Sequence, residues 1–120
     1  ESSEEGELKG LGWISGRVKK INFTSQNNPM IVPHMGWNKV IPTKKGEELF
    51  YGINLNPSFY FLHSYYFECK NKDRIISTSD YGQNFTSAVK RKNIYGIQFH
   101  PEKSHSNGIK LLKNFSALDF

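Results

Sequence analysis

The sequence predicts a mostly β-stranded structure, partly antiparallel, that finishes on a helix. Three observations carry this expectation. Residues 58–68 form an aromatic-rich run between Pro57 and Asn71, and aromatic side chains suit the pleated, half-buried surface of a sheet. Residues 74–79, 86–89 and 94–99 are short β-prone runs separated by Asp80-Tyr81-Gly82 and by a basic turn at 90–93, a spacing that suits successive hairpins. Past residue 106, Ile109, Leu111, Leu112, Phe115 and Leu118 recur at helical spacing.

The elements follow in chain order. Residues 10–23 read as glycine-punctuated turn and strand, with Val18 and Ile21 as the apolar positions. Ser25-Gln26-Asn27-Asn28-Pro29 is a loop by composition. Met30 to Val32 leads into the dense block Pro33-His34-Met35-Gly36-Trp37-Asn38, and Lys44-Lys45-Gly46 marks a further turn. Residues 48–53 suggest a short helical turn closed by Gly52. Residues 58–68 are the strongest strand candidate, in which alternation would bury about half of the aromatics. Ser106 or Asn107 is placed to cap the final helix, whose apolar stripe is expected to pack into the core.

A chain of 120 residues with 37% hydrophobic content can bury a core. No run approaches the 18 or so apolar residues of a transmembrane helix, and no basic-then-apolar start suggests a signal peptide. The expectation is a soluble, cytoplasmic piece without membrane association. Cys69 is the only thiol, so no internal disulfide forms. The net charge of +5 raises nucleic-acid binding as an alternative. The charges, however, sit in solvated turns, at Lys70, Lys72 and Arg74 and again at Lys90, Arg91 and Lys92.

The most informative run is Gln98-Phe99-His100-Pro101-Glu102-Lys103-Ser104. In an extended segment positions i and i+2 project to one side, with Cα atoms roughly 6–7 Å apart. Pro101 biases His100 away from helical geometry. Glu102 can then select the tautomer of His100 and stabilise its imidazolium when the other nitrogen takes a proton from a nucleophile. On its own, the run reads first as a strand ending in a turn with a locally bonded histidine.

PHMGWN at 33–38, HSYY at 63–66 and FHPEKS at 99–104 occur in that order. Together they resemble the C-terminal part of a class I, triad-type glutamine amidotransferase, and within that family the glutaminase branch of imidazole glycerol phosphate synthase. The resemblance runs from Glu1-Ser2-Ser3-Glu4-Glu5-Gly6 to the segment ending at Phe115. It implies an α/β, flavodoxin-like domain with a mostly parallel central sheet. Residues 1–120 would be the C-terminal part of that single domain, with the N-terminal half and its nucleophile elbow absent.

The resemblance also implies roles. His100 would be general base and then general acid, oriented by Glu102, in a reaction passing through a cysteinyl thioester. Glu5 would hold the α-amino group of substrate glutamine. His63, Ser64 and Tyr65 would wall the glutamine pocket, while Trp37 and Lys103 would face a barrel-shaped cyclase subunit in a heterodimer that receives the ammonia. It implies no cofactor and no metal. The family's nucleophile sits in a glycine-flanked elbow, whereas Cys69 lies between Glu68 and Lys70 at the end of a β-rich run, so it reads as a filler or an inert thiol. Alone, the chain should hydrolyse no glutamine. Two alternatives stand beside this reading: a paralogous glutaminase supplying a sugar amidotransferase in surface-polysaccharide synthesis, and a basic module binding single-stranded nucleic acid.

Overall fold

A computed structural model describes residues 16–53, 57–92 and 94–118. The chain forms ten strands and one α-helix over these residues. They are β1 (Gly16–Lys20), β2 (Thr24–Ser25), β3 (Asn28–Pro29), β4 (His34–Lys39), β5 (Ile41–Pro42), β6 (Ser58–His63), β7 (Tyr65–Cys69), β8 (Ile75–Asp80), β9 (Asn84–Arg91), β10 (Ile94–Ile97) and α1 (His105–Ala117).

All strand pairing among the described residues is antiparallel. β10-β9-β8-β5 form one sheet, while β1 pairs with β7, β2 with β3 and β4 with β6. The expected hairpin series is therefore present, as is the closing helix. The mostly parallel sheet implied for a complete domain is not represented among these pairs.

The aromatic run is two strands rather than one. β6 breaks from β7 at Ser64, and the two go to different partners. The buried face changes phase at this point, from Phe59, Phe61 and His63 to Tyr66. A one-residue change of phase sends a strand's side chains to the opposite face, so one flat strand cannot serve both partners. The corner is held by Ile21 N–H donating to the Ser64 carbonyl at 2.9 Å. Of the six aromatics in the run, Phe59, Phe61 and Tyr66 are buried and Tyr60, Tyr65 and Phe67 are half-buried. No row of exposed rings is offered to nucleobases.

Phe59, Phe61, Phe85, Phe99, Ile76 and Leu111 lie in one apolar cluster. The helical turn expected at 48–53 begins earlier, as a 3₁₀ turn at Lys44–Gly46, and the following turns end at Gly52 with φ +75°. α1 starts at His105 with Ser104 as N-cap rather than Ser106 or Asn107. Its apolar stripe reaches the core only at Leu111, which is buried, whereas Ile109 is 58% and Leu112 48% exposed and Phe115 is exposed too. Helical spacing identifies a face without saying what covers it. Among the described residues no helix is long and apolar enough to cross a membrane.

Candidate active site

His100 ends the strand-rich part of the chain in an extended conformation, φ −108° and ψ 98°. Its N–H donates to the Tyr60 carbonyl at 2.8 Å, and the two residues form an antiparallel bridge against β6. Directly paired residues in such a bridge present their side chains to one face, so His100 shares the outward face of β6 with Tyr60 and Leu62.

Pro101, Glu102 and Lys103 then form a 3₁₀ turn, closed by Lys103 N–H to the His100 carbonyl at 3.1 Å and Ser104 N–H to the Pro101 carbonyl at 3.0 Å. The extended geometry expected from His100 through Glu102 is thus replaced by a turn. Proline fits the first position of such a turn, where its missing N–H is not needed and its fixed φ is already right. The side chains still meet, with His100 Nδ1 lying 2.8 Å from Glu102 Oε2. Nδ1 donates this bond, which leaves Nε2 as the basic nitrogen. Among the described residues Nε2 has no hydrogen-bond partner. The exposed Glu102 carboxyl is held below the usual carboxylate range, first by its own backbone N–H and then by His100.

A pair of imidazoles lies on the inward face of β4 and β6. β4 and β6 set His34 opposite His63, and His34 Nδ1 is 2.9 Å from His63 Nε2. His63 Nδ1 donates to the Tyr65 carbonyl at 2.8 Å, so its Nε2 accepts and His34 Nδ1 donates. His34 Nε2 then accepts from Asn38 Nδ2 at 3.2 Å, which also donates to the Asp80 carbonyl at 2.7 Å. The two bonds accepted by ring nitrogens, at His63 Nε2 and His34 Nε2, require those rings to be neutral. His34 is 3% exposed, stacked between Tyr81 and Phe61 at centroid distances of 3.9 and 4.7 Å. Burial, and secondarily the proximity of His63, pushes its pKa down to about 4. His63 is lowered as well, by burial first and with His100 as a smaller repulsive contribution.

The residues singled out from sequence fall into separate groups. His100, Glu102 and Lys103 share one turn. Ser64 and Tyr65 form the corner after β6, half-buried, but both ring nitrogens of His63 are engaged inside the protein, so a pocket wall at His63 would have to use its backbone. Trp37 is 50% exposed on the outward face of β4, stacked on His105 at 5.4 Å and edge-on to Tyr60 at 6.1 Å. Glu5 lies outside the described residues. Cys69 is buried at the end of β7, its Sγ donates to the Asn71 carbonyl at 3.2 Å, and burial pushes its thiol pKa up. A reactive thiol needs the opposite shift. Lys90, expected in the basic turn, lies instead in β9, paired with Tyr95, and is engaged by Glu48 at 3.5 Å and by the Tyr95 ring.

Sequence reasoning missed three residues at this site. His34 and Asn38 sit in the PHMGWN block, but the partnership with His63 spans 29 positions and is set by strand register alone. Ser104 closes the FHPEKS run, and its burial at 1% exposed is not visible from its neighbours. No group of three or more side chains suited to a metal occurs among the described residues.

Residues 14–117 match the family model for class-I glutamine amidotransferases. The chain is 55% identical to Imidazole glycerol phosphate synthase subunit HisH of Leptospira interrogans, over 98% of this chain and 57% of that protein. It is 49% identical to the same-named subunit of Bdellovibrio bacteriovorus, with the same two coverages. It is 48% identical to subunit HisH 2 of Pseudomonas aeruginosa, over 97% of this chain and 55% of that protein. The chain thus spans little more than half the length of the curated relatives it matches.

Proposed function

Because the chain belongs to the class-I glutamine amidotransferase family, we propose that it carries the base-and-orienter part of a glutaminase, the glutamine-hydrolysing subunit of an imidazole glycerol phosphate synthase. The single observation behind this reading is the 2.8 Å bond between His100 Nδ1 and Glu102 Oε2 on a face where Nε2 is left to act. A cysteine thiolate formed by proton transfer to His100 Nε2 attacks the side-chain amide carbon of glutamine. The imidazolium, steadied by Glu102, then protonates the amide nitrogen as its bond to carbon breaks, so that it departs as ammonia and leaves a thioester. Water attacks the thioester, with His100 again taking a proton, and glutamate leaves.

Cys69 does not supply the thiol, so the nucleophile comes from outside the described residues. Residues 1–120 are, in this reading, the C-terminal part of one amidotransferase domain, working in the cytoplasm. Ser64 and Tyr65 hold the glutamine carboxylate end, and Glu5 holds its α-amino group. Trp37 and Lys103 lie on the outward side and meet the barrel-shaped cyclase that receives the ammonia. An exposed indole braced by stacking suits an interface anchor. The synthase name carried by the relatives favours this partner over a sugar amidotransferase.

The test joins this chain to the portion of the Leptospira interrogans protein that it does not cover and measures glutamate release in the presence of a cyclase subunit. His100→Ala is expected to lower the rate by roughly 10²- to 10⁴-fold. An unchanged rate would overturn the assignment.

A further inference from the structure

The start of α1 departs from a local rule. Serine is favoured at a helix N-cap because its hydroxyl accepts an otherwise unpaired N–H from the first turn. Ser104 occupies the N-cap, yet its side chain makes no capping bond. Its hydroxyl instead accepts from Tyr60 N–H at 2.9 Å and donates to the His100 carbonyl at 2.6 Å. At 1% exposure no water competes for these bonds, and in a desolvated setting they hold their partners firmly.

The His100 backbone is therefore clasped from two directions. Its N–H is bonded to the Tyr60 carbonyl, and its carbonyl is tied through the Ser104 hydroxyl to the Tyr60 N–H. Both ends reach the same residue of β6, so the histidine cannot pivot against that strand while the hydroxyl is present. Helix docking has its own support: Asn107 Nδ2 donates to the Ser58 carbonyl at 2.9 Å.

We propose that Ser104 is a positioning residue for the base. It fixes the His100 backbone so that the imidazole is seated against Glu102 before glutamine arrives. The proposal rests on the reading of His100 as general base. Local rules broken without local benefit concentrate at functional sites, and a base displaced by a fraction of an ångström loses much of its effect.

The glutaminase assay is run across pH on the intact gene product, with Ser104→Ala, Ser104→Cys and His100→Ala. Cysteine nearly preserves the size of serine while hydrogen-bonding weakly, so it retains the fold should alanine not. Each folded Ser104 variant is expected to lower kcat about tenfold with the glutamine KM changed less than about twofold. The acid limb of kcat/KM should move, because the base and its carboxylate no longer meet in a single fixed geometry. A role confined to stability would leave that limb in place. Unchanged kcat and an unmoved limb in a folded Ser104 variant, beside an inactive His100→Ala, would overturn the latch alone. An active His100→Ala would overturn the general-base reading and the latch with it.

Discussion

Acidification should destabilise this protein through His34 before most of its carboxylates protonate. His34 titrates near its ordinary 6.5 when unfolded and at about 4 when folded. Between those values the unfolded chain binds a proton that the folded chain refuses, so stability is complete above pH 6.5 and is lost as pH falls toward 4. The full difference is about 3 kcal/mol, and about 2 kcal/mol of it falls between pH 7 and pH 5. The groups facing the ring give it no counterion: His63, itself lowered, Asn38 Nδ2, and the faces of Phe61 and Tyr81. Urea unfolding followed by tryptophan fluorescence at pH 7 and pH 5 measures the effect. With a urea slope of about 2 kcal/mol/M, the midpoint should fall by about 1 M more in the wild type than in His34→Asn. Asparagine keeps a donor near the Nδ1 position but does not titrate. Parallel losses in the two proteins would refute the reasoning, whatever their absolute stabilities.

In the chain joined to the Leptospira interrogans portion, Glu102→Gln keeps a hydrogen-bond acceptor for His100 but removes the charge that, in the proposed mechanism, steadies the imidazolium. It should lower glutamine turnover at least about tenfold and leave the melting temperature unchanged, because the carboxylate is exposed; full activity would remove Glu102 from the mechanism. Gly108→Ala should destabilise by about 1–3 kcal/mol in a thermal melt. Helix propensity alone predicts a gain of about 1 kcal/mol, but the added Cβ would lie 1.8 Å from the Pro101 carbonyl oxygen, so a stabilised variant would show that this close approach is not real. In the chain joined to the Leptospira interrogans portion, Cys69→Ala should retain glutamine hydrolysis in full and remove the slow, alkaline-shifted reaction with iodoacetamide at this site. Loss of turnover would return Cys69 to the list of nucleophile candidates.

What was legible in the sequence was what neighbours decide. His100, Pro101 and Glu102 lie within one turn, so their meeting needed only local backbone geometry, and it survived the replacement of an expected strand by a 3₁₀ turn. The hairpins of β8, β9 and β10 were likewise written in short β-prone runs and the turns between them. The break at Ser64 was not, because β-prone residues continue on both sides of it. Only the separate partners β4 and β1 force the change of face. The stripe on α1 was legible as a stripe, but Ile109 and Leu112 remain exposed because covering a face is a property of the surrounding structure.

β6 explains how one small sheet keeps two kinds of histidine apart. Its inward positions, Phe59, Phe61 and His63, close over His34 and exclude water, a setting that penalises charge on any imidazole. Its outward position Tyr60 bridges His100, whose Nδ1 meets an exposed carboxylate, a setting that tolerates charge. A base must accept a proton during turnover and a core histidine must not. The period-two alternation of a single strand separates them across the thickness of one backbone. His100 adds a small repulsive contribution to the lowering of His63, so in the proposed mechanism an imidazolium at His100 works against a second charge on the inner pair.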